Sequence, residues 1–306
     1  MINLKKIGIT FLIGTTLLTG CTNSKPKTEK INKEENYAII RGMNYGEAGK
    51  YDESIKAFLK AYSINPNNIM TVRSLGLVYS RAGDTATGEK YFLEALKIDK
   101  YDKEALYNYA ILKYDAGKYD EALELLNTIK IENVDNRIYI ARGGIYYKLK
   151  NYEKSFQEFT KIIGDDDYSK DIYQIYIDVM QKSGRGDKIY EFTYNLYKKN
   201  VNDKDKMDVF KDYLIFIGAY DEAEKVLKEY TIKNGYSLEI TLDLINVTIK
   251  NKKYDSAKAY WSLIPEDQNL NIKVLEMKSY YYKELGMQEE AAKYESILKN
   301  VKGAEK

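Results

Sequence analysis

Apolar and small residues recur along the chain at helical spacing, in stretches separated by the same polar knuckle. Gly117-Lys118-Tyr119-Asp120-Glu121-Ala122 is its clearest copy. Glycine suits the end of one helix, tyrosine can pack across the turn, and Asp-Glu suits the positive start of the next helix. The knuckle returns as Gly49-Lys50-Tyr51-Asp52-Glu53-Ser54 and as Gly218-Ala219-Tyr220-Asp221-Glu222-Ala223. Looser copies begin at Gly83, Lys150, Gly184, Lys252 and Gly286. Each step between neighbouring copies is 34 residues, except one of 33. A period of this length predicts eight helix–turn–helix units stacked in series, each too small to bury its own apolar side alone.

Inside each unit, small and large residues alternate in a way that suits two antiparallel helices. Gly42, Gly76, Ala110 and Gly143 mark the points of closest approach, and Tyr45, Tyr79 and Tyr146 lie on one helical face to fill the gap between helices. Ser54, Ala122, Ser155, Ala223, Ala257 and Ala291 supply the matching small positions on the second helix. From residue 35 onward this arrangement resembles the tetratricopeptide repeat family. One copy reads Ala38, Arg41-Gly42 and Tyr45, then Ser54, Phe58, Ala61 and Pro66; the next reads Val72, Leu75-Gly76 and Tyr79, then Gly88, Phe92 and Ala95. A third has Leu106, Tyr109-Ala110 and Lys113, then Ala122 and Leu126, and a fourth has Tyr139, Arg142-Gly143 and Tyr146, then Ser155 and Phe159. The resemblance implies an all-α fold, a right-handed α-α superhelix over residues 35–301. Later copies drift. Around Gly184 the corresponding positions become Ile177, Met180, Ile189 and Thr193, whereas Ala257 with Trp261 and Ala291 with Tyr294 recover the pattern. The last repeat is expected to present its own polar face through Glu289, Glu290 and Lys293, and residues 302–306 read as a polar tail that frays.

Composition narrows the chemistry. The 306 residues are 44% hydrophobic and 31% charged with three prolines, which favours a folded helical body over disorder. The 31 tyrosines suit half-buried helix faces, where the ring packs and the hydroxyl reaches water. There is no histidine and one cysteine, Cys21, which removes His-based acid–base catalysis, Cys–His nucleophilic pairs, internal disulfides and most zinc sites. Asp165-Asp166-Asp167 lacks the alternating ligands and distal glutamate of a calcium loop and reads as a solvated turn between repeats. No phosphate-cradling glycine loop or nucleophile elbow stands out, so neither an enzyme nor a cofactor is expected.

Residues 1–20 read as an export signal: Lys5 and Lys6 at the start, then a short apolar run from Ile7 to Leu18 that is too short to span a bilayer. Leu18-Thr19-Gly20-Cys21 resembles the lipobox of bacterial lipoproteins. That resemblance implies cleavage before Cys21 and lipidation of its sulfur, with residues 21–34 as lipidated cysteine and polar tether. Loss of Lys5 and Lys6 brings the formal charge from +2 to zero, which gives no bulk electrostatic case for nucleic acid.

In such superhelices the first helices line a concave groove that takes a protein or peptide partner. Projection of the spacing puts Arg73, Leu77, Tyr107, Asn108, Ile111, Tyr114, Arg137, Ile140 and Tyr147 on that face in the N-terminal half. Asp171, Asp178, Asp205, Asp208 and Asp212 follow in the C-terminal half. Family members that clamp a peptide's terminal carboxylate use basic and asparagine residues there; Arg73, Asn108 and Arg137 match part of the clamp, while Leu77 and Ala141 depart from it. The expectation is an exported, membrane-anchored scaffold for envelope assembly, with a surface adhesin or ligand-binding lipoprotein as the other reading.

Overall fold

The computed structural model describes residues 32–164 and 168–304. The expected export signal, Cys21, the expected tether up to residue 31 and Asp165-Asp166-Asp167 lie outside the described residues. All of the regular structure described is helical. The chain divides into two compact units, residues 1–167 and 168–306. Unit 1 contains α1 (Lys33–Glu47), α2 (Tyr51–Ile64), α3 (Ile69–Arg81), α4 (Thr85–Ile98), α5 (Lys103–Asp115), α6 (Tyr119–Thr128), α7 (Asn136–Lys148) and α8 (Tyr152–Thr160). Unit 2 contains α9 (Lys170–Lys182), α10 (Ile189–Lys199), α11 (Lys204–Phe216), α12 (Tyr220–Asn234), α13 (Leu238–Lys250), α14 (Tyr254–Trp261), α15 (Ile272–Glu284) and α16 (Gln288–Ala304). Each unit therefore holds four helix pairs, and within a unit neighbouring pairs pack on one another in series. No helix among the described residues is long and apolar enough to cross a membrane.

The knuckles close as the sequence pattern requires. At Gly117 the backbone turns to φ +74°, the Lys118 N–H reaches back to the Lys113 carbonyl at 2.9 Å, and the helix ends. The same six-residue closure recurs in all eight pairs, from Lys50 N–H on Tyr45 to Met287 N–H on Tyr282. Where the glycine is replaced, the geometry persists: Lys150 and Lys252 take φ of 59° and 56°. Stacking on the neighbouring repeats thus imposes a conformation that a lysine would otherwise avoid. Tyrosines do bridge the turn, with Tyr114 and Tyr119 centroids 5.4 Å apart.

Where two helices of a pair cross, one gives up its side chain and the other supplies a ring. A Cβ on Gly76 would lie 2.7 Å from the Phe92 ring, and Gly42 faces Phe58 and Gly143 faces Phe159 equally closely. Phe58, Phe92 and Phe159 are almost wholly buried. Two crossings are also tied by a hydroxyl: Ser54 donates to the Gly42 carbonyl at 2.6 Å and Ser155 to that of Gly143 at 2.7 Å. In the third pair Ala110 meets the smaller Leu126, both fully buried. Where pairs 1, 2 and 4 have tyrosine, the third has Lys113, whose ammonium binds Glu89 at 2.8 Å and Glu121 at 2.9 Å and so ties α4, α5 and α6 together.

The fifth pair is the irregular one. A 3₁₀ turn at Gly186–Lys188 separates α9 from α10, and Phe192 wedges between them against Tyr176 at 5.1 Å. Thr193 occupies the phenylalanine position and turns its hydroxyl to the Ile189 carbonyl of its own helix, so no hydroxyl tie crosses to α9 from there. At the C-terminus the structure departs from the fraying tail: α16 runs through Lys302 to Ala304. Lys302 pairs with Glu276 at 2.7 Å, which holds the last turn against α15.

Gly76→Ala is expected to cost about 1–3 kcal/mol through overpacking against Phe92. Combining it with Phe92→Leu, the Ala–Leu pairing that the third repeat already uses, should give a double variant more stable than the summed single losses. Urea unfolding of the four proteins checks this; strictly additive losses would show that the two positions do not share one volume.

Candidate protein-docking face

The first helices of the second, third and fourth pairs in unit 1 each begin with a side chain that does two jobs. Asp102 caps α5 by accepting from the Ala105 N–H at 2.8 Å with one oxygen, and takes Arg73 of α3 at 2.6 Å with the other. Asp135 caps α7 in the same way, through the Ile138 N–H at 3.4 Å, and receives Lys103 of α5 at 3.1 Å and Arg137 at 2.9 Å. Asn68 caps α3 and donates to Glu35 of α1 at 2.6 Å. Arg137 also reaches back to Glu104, at 2.8 and 3.3 Å. A cap residue therefore staples the second, third and fourth repeats each to the one before it.

These staples decide what the predicted groove residues can do. Arg73 and Arg137 are 23% and 25% exposed, and both are already held by carboxylates of this chain. Burial alone would raise the pKa of Asp135, but the hydrogen bonds from Arg137 and Lys103 outweigh it and hold the carboxyl below its ordinary value. Tyr107, Ile111, Tyr114 and Ile140 are buried, the first three within the core shared by α5, α6 and α7. Tyr107 lies under the Arg137 guanidinium, 5.1 Å from it, and its hydroxyl lacks a protein partner; burial pushes its pKa up to about 12. Leu77, Asn108 and Tyr147 stay half-exposed. Structure thus brings Tyr107, Arg137, Ile111 and Tyr114 together as a seam between repeats, and leaves Leu77, Asn108 and Tyr147 on the face.

The aspartates predicted for the C-terminal half are interleaved with lysines. Asp208 takes Lys204 at 2.7 Å, Lys211 at 3.0 Å and Lys170 at 3.8 Å, while Asp212 takes Lys170 at 2.7 Å. Asp205 accepts the Lys170 N–H at 3.3 Å, Asp178 pairs with Lys182 at 2.7 Å, and Asp171 lies at the start of α9. Lys211, buried at the crossing position that glycine holds in three other pairs, reaches Asp243 of α13 at 2.5 Å. Burial opposes ionisation of both aspartates. Three lysines outweigh it at Asp208, whose pKa is lowered; Asp243, with Lys211 alone, stays raised. Lys211 is shifted upward despite its burial. The same unit carries an open cleft of about 590 Å³ lined mainly by Leu238, Leu242, Leu270, Ile272 and Val301, with Glu239 and Lys273 among its walls.

Sequence reasoning missed the cap residues as inter-repeat staples. Their signal is visible: Asn68, Asp102, Asp135, Ser169, Asp203, Ser237 and Asn271 recur at the repeat period, each a residue type that caps helices. The partners Glu35, Arg73 and Lys103 lie 33, 29 and 32 residues away from the caps they bind.

Comparison with known proteins supports the repeat assignment. Family models of the tetratricopeptide repeat match residues 79–143, and residues 37–68 and 137–164. The chain carries tetratricopeptide repeats in these segments. A tetratricopeptide repeat-containing protein of Methanocaldococcus jannaschii is 27% identical over 181 residues, covering 54% of this chain and 31% of that protein. The type IV pilus assembly protein PilF of Pseudomonas aeruginosa is 25% identical over 149 residues, covering 47% of this chain and 57% of that protein. The matches thus span less than two thirds of these relatives. The crystal structure of a tetratricopeptide repeat protein from Parabacteroides merdae superposes with a TM-score of 0.51 at 18% identity, over 79% of this chain and 97% of that one, which shows the shared fold.

Two expectations follow for the charged seams. Arg137→Ala should destabilise the protein by about 1.5–3 kcal/mol, because Glu104 and Asp135 lose a charged hydrogen-bond donor. Equilibrium unfolding without any partner measures it, and an unchanged midpoint would mean the staple is idle. Lys211→Met should cost about 3–5 kcal/mol by leaving Asp208 and Asp243 buried without it. Asp243, already raised beside Lys211, should rise further without it, so this variant should regain more stability than the parent as pH falls from about 7 to about 5. A parallel pH response of the two proteins would contradict that assignment.

Proposed function

We propose that this protein is an exported lipoprotein, anchored through Cys21, whose repeats hold a protein partner on the first-helix face of unit 1. The observation that carries this reading is the division of labour on that face. Its arginines are engaged in holding repeats together, so the surface is fixed in shape, while Leu77, Asn108 and Tyr147 remain partly open. A preformed surface loses little entropy on binding. Anchoring raises the local concentration of the scaffold where its partner works. The body acts by position and carries out no reaction.

The setting proposed is assembly of the cell envelope. Similarity to a type IV pilus assembly protein is in keeping with this, although it covers only part of either chain. A terminal-carboxylate clamp is disfavoured as the recognition mode, because Arg73 and Arg137 would have to leave Asp102, Glu104 and Asp135 to serve it. Apolar and amide contacts are the mode proposed instead.

The test places a photo-crosslinking amino acid at Leu77, Asn108 or Tyr147, and as reference at Lys56 or Lys90 on the second helices, in the full chain expressed in its native cells. One partner band crosslinked from the first-helix positions and not from the references is the expected outcome. Equal crosslinking from both sets would move the site elsewhere. Cys21→Ser should abolish fatty-acid labelling and release the chain from membranes; unchanged labelling would remove the anchor from the account.

A further inference from the structure

Helix α1 is the first helix of unit 1 among the described residues, and no described repeat packs on its outward side. Repeat register shows what that side was shaped for. Tyr37 corresponds to Thr71, Ala105, Ile138, Lys206, Ile240 and Val274, each at most 2% exposed, and to Ile172 of the irregular fifth pair, which is partly buried; Tyr37 itself is 62% exposed. Arg41 corresponds likewise to the buried Leu75, Tyr109, Tyr176, Phe210 and Leu244, and to Arg142 and Lys278, which are partly buried. One turn along, Ile40 is 55% exposed. Arg41 sits beside two tyrosines, 5.8 Å from the Tyr37 ring and 5.5 Å from the Tyr45 ring, and donates to the Tyr45 hydroxyl at 3.0 Å.

We propose that this outward stripe of α1, Tyr37, Ile40, Arg41 and Tyr45, lies against a lipid bilayer as a second membrane contact. The proposal rests on the membrane-anchored reading for its setting. Rings with a hydroxyl tip, a branched alkyl group and a long cationic side chain are the groups that settle at a bilayer interface, apolar part down and polar end toward the headgroups. Position favours it as well. Asn32, the cap of α1, is eleven residues from Cys21, at most about 40 Å of extended chain, so α1 is the helix tied nearest to the anchor. Between Thr22 and Glu34 the chain has Lys25, Lys27, Lys30 and Lys33 against Glu29 and Glu34, an excess of positive charge that suits an anionic surface.

Other covers fit less well. A symmetric second copy would bring two copies of the same cationic stripe, each with Lys33 and Arg41, into one interface. The segment from Thr22 to Glu34 offers a single large aliphatic residue, Ile31, to cover the stripe. Lipid chains at the end of a tether hold the body near the membrane without orienting it, and a peripheral contact of this kind would fix the direction in which the repeats face their partner.

The test uses the full, lipidated chain reconstituted in vesicles of phosphatidylethanolamine with phosphatidylglycerol. Acylation blocks the lone cysteine sulfur, so Ile40→Cys supplies the single free thiol for a nitroxide; Ile232→Cys on α12, 83% exposed in the parent, is the reference. The expected result is opposite shifts at position 40 relative to 232: collisions with oxygen rise, and collisions with a water-soluble nickel chelate fall several-fold. Both falling together, or dipolar broadening between labels at position 40, would mean that protein covers the stripe and would overturn the proposal. Accessibility equal to the reference would overturn it too. If the parent chain does not float with vesicles, the anchor reading has failed separately. The Cys21→Ser, Ile40→Cys chain mixed with the same vesicles then decides: the opposite shifts sustain the contact on its own, and their absence overturns it.

Discussion

Two helices can approach closely only where one of them yields its side chain, and the rest of this structure depends on how that volume is shared. In three pairs of unit 1 a glycine yields and a phenylalanine ring fills the space, at distances that leave no room for a Cβ. The third pair splits the same volume as alanine and leucine. In unit 2 the pairing becomes Ile245 with Trp261, then Ser279 with Glu295, whose side chains meet at 3.3 Å. Close approach sets the spacing of each pair, and that spacing lets the next pair stack in register. No pair buries its own apolar side; each cluster of the core draws residues from neighbouring pairs.

Charge is arranged around this constraint. Stacking in register brings the cap of one first helix within reach of the helix before it, so Asp102 and Asp135 can close a backbone end and bind a cation from the neighbouring repeat with the same carboxylate. Partly buried carboxylates would be costly unpaired; the arginines and lysines of the groove offset that cost. The consequence for function is that much of the basic character of the face is spent internally. What the face leaves partly exposed is a few apolar and amide side chains, Leu77, Asn108 and Tyr147.

Much of the fold was legible in the period. The knuckle, the helix pairs, the glycine crossings and the irregular fifth pair can all be read from residue types at fixed offsets, because local backbone chemistry decides them. The candidate face was legible only as a list of positions. Projection onto a helix separates inner from outer sides, but it does not say that Tyr107 and Ile111 are covered by the next repeat, nor that Arg137 has two carboxylates of its own. Those depend on side chains about one period apart in sequence. Lys211 was illegible for the same reason: nothing local distinguishes it from a surface lysine, and its buried aspartates come from both α11 and α13. The longer α16 escaped because its last turn is held by Glu276 on another helix.

The central claim is that each helix pair is stable because of its neighbours. Native-state hydrogen exchange resolved by helix tests it most directly. The account predicts that the interior pair α5–α6 exchanges slowest in unit 1, that α1–α2 opens more readily, and that in unit 2 α9–α10 is less protected than α11–α12. Protection as strong in α1–α2 as in α5–α6, with one common opening free energy throughout, would contradict it.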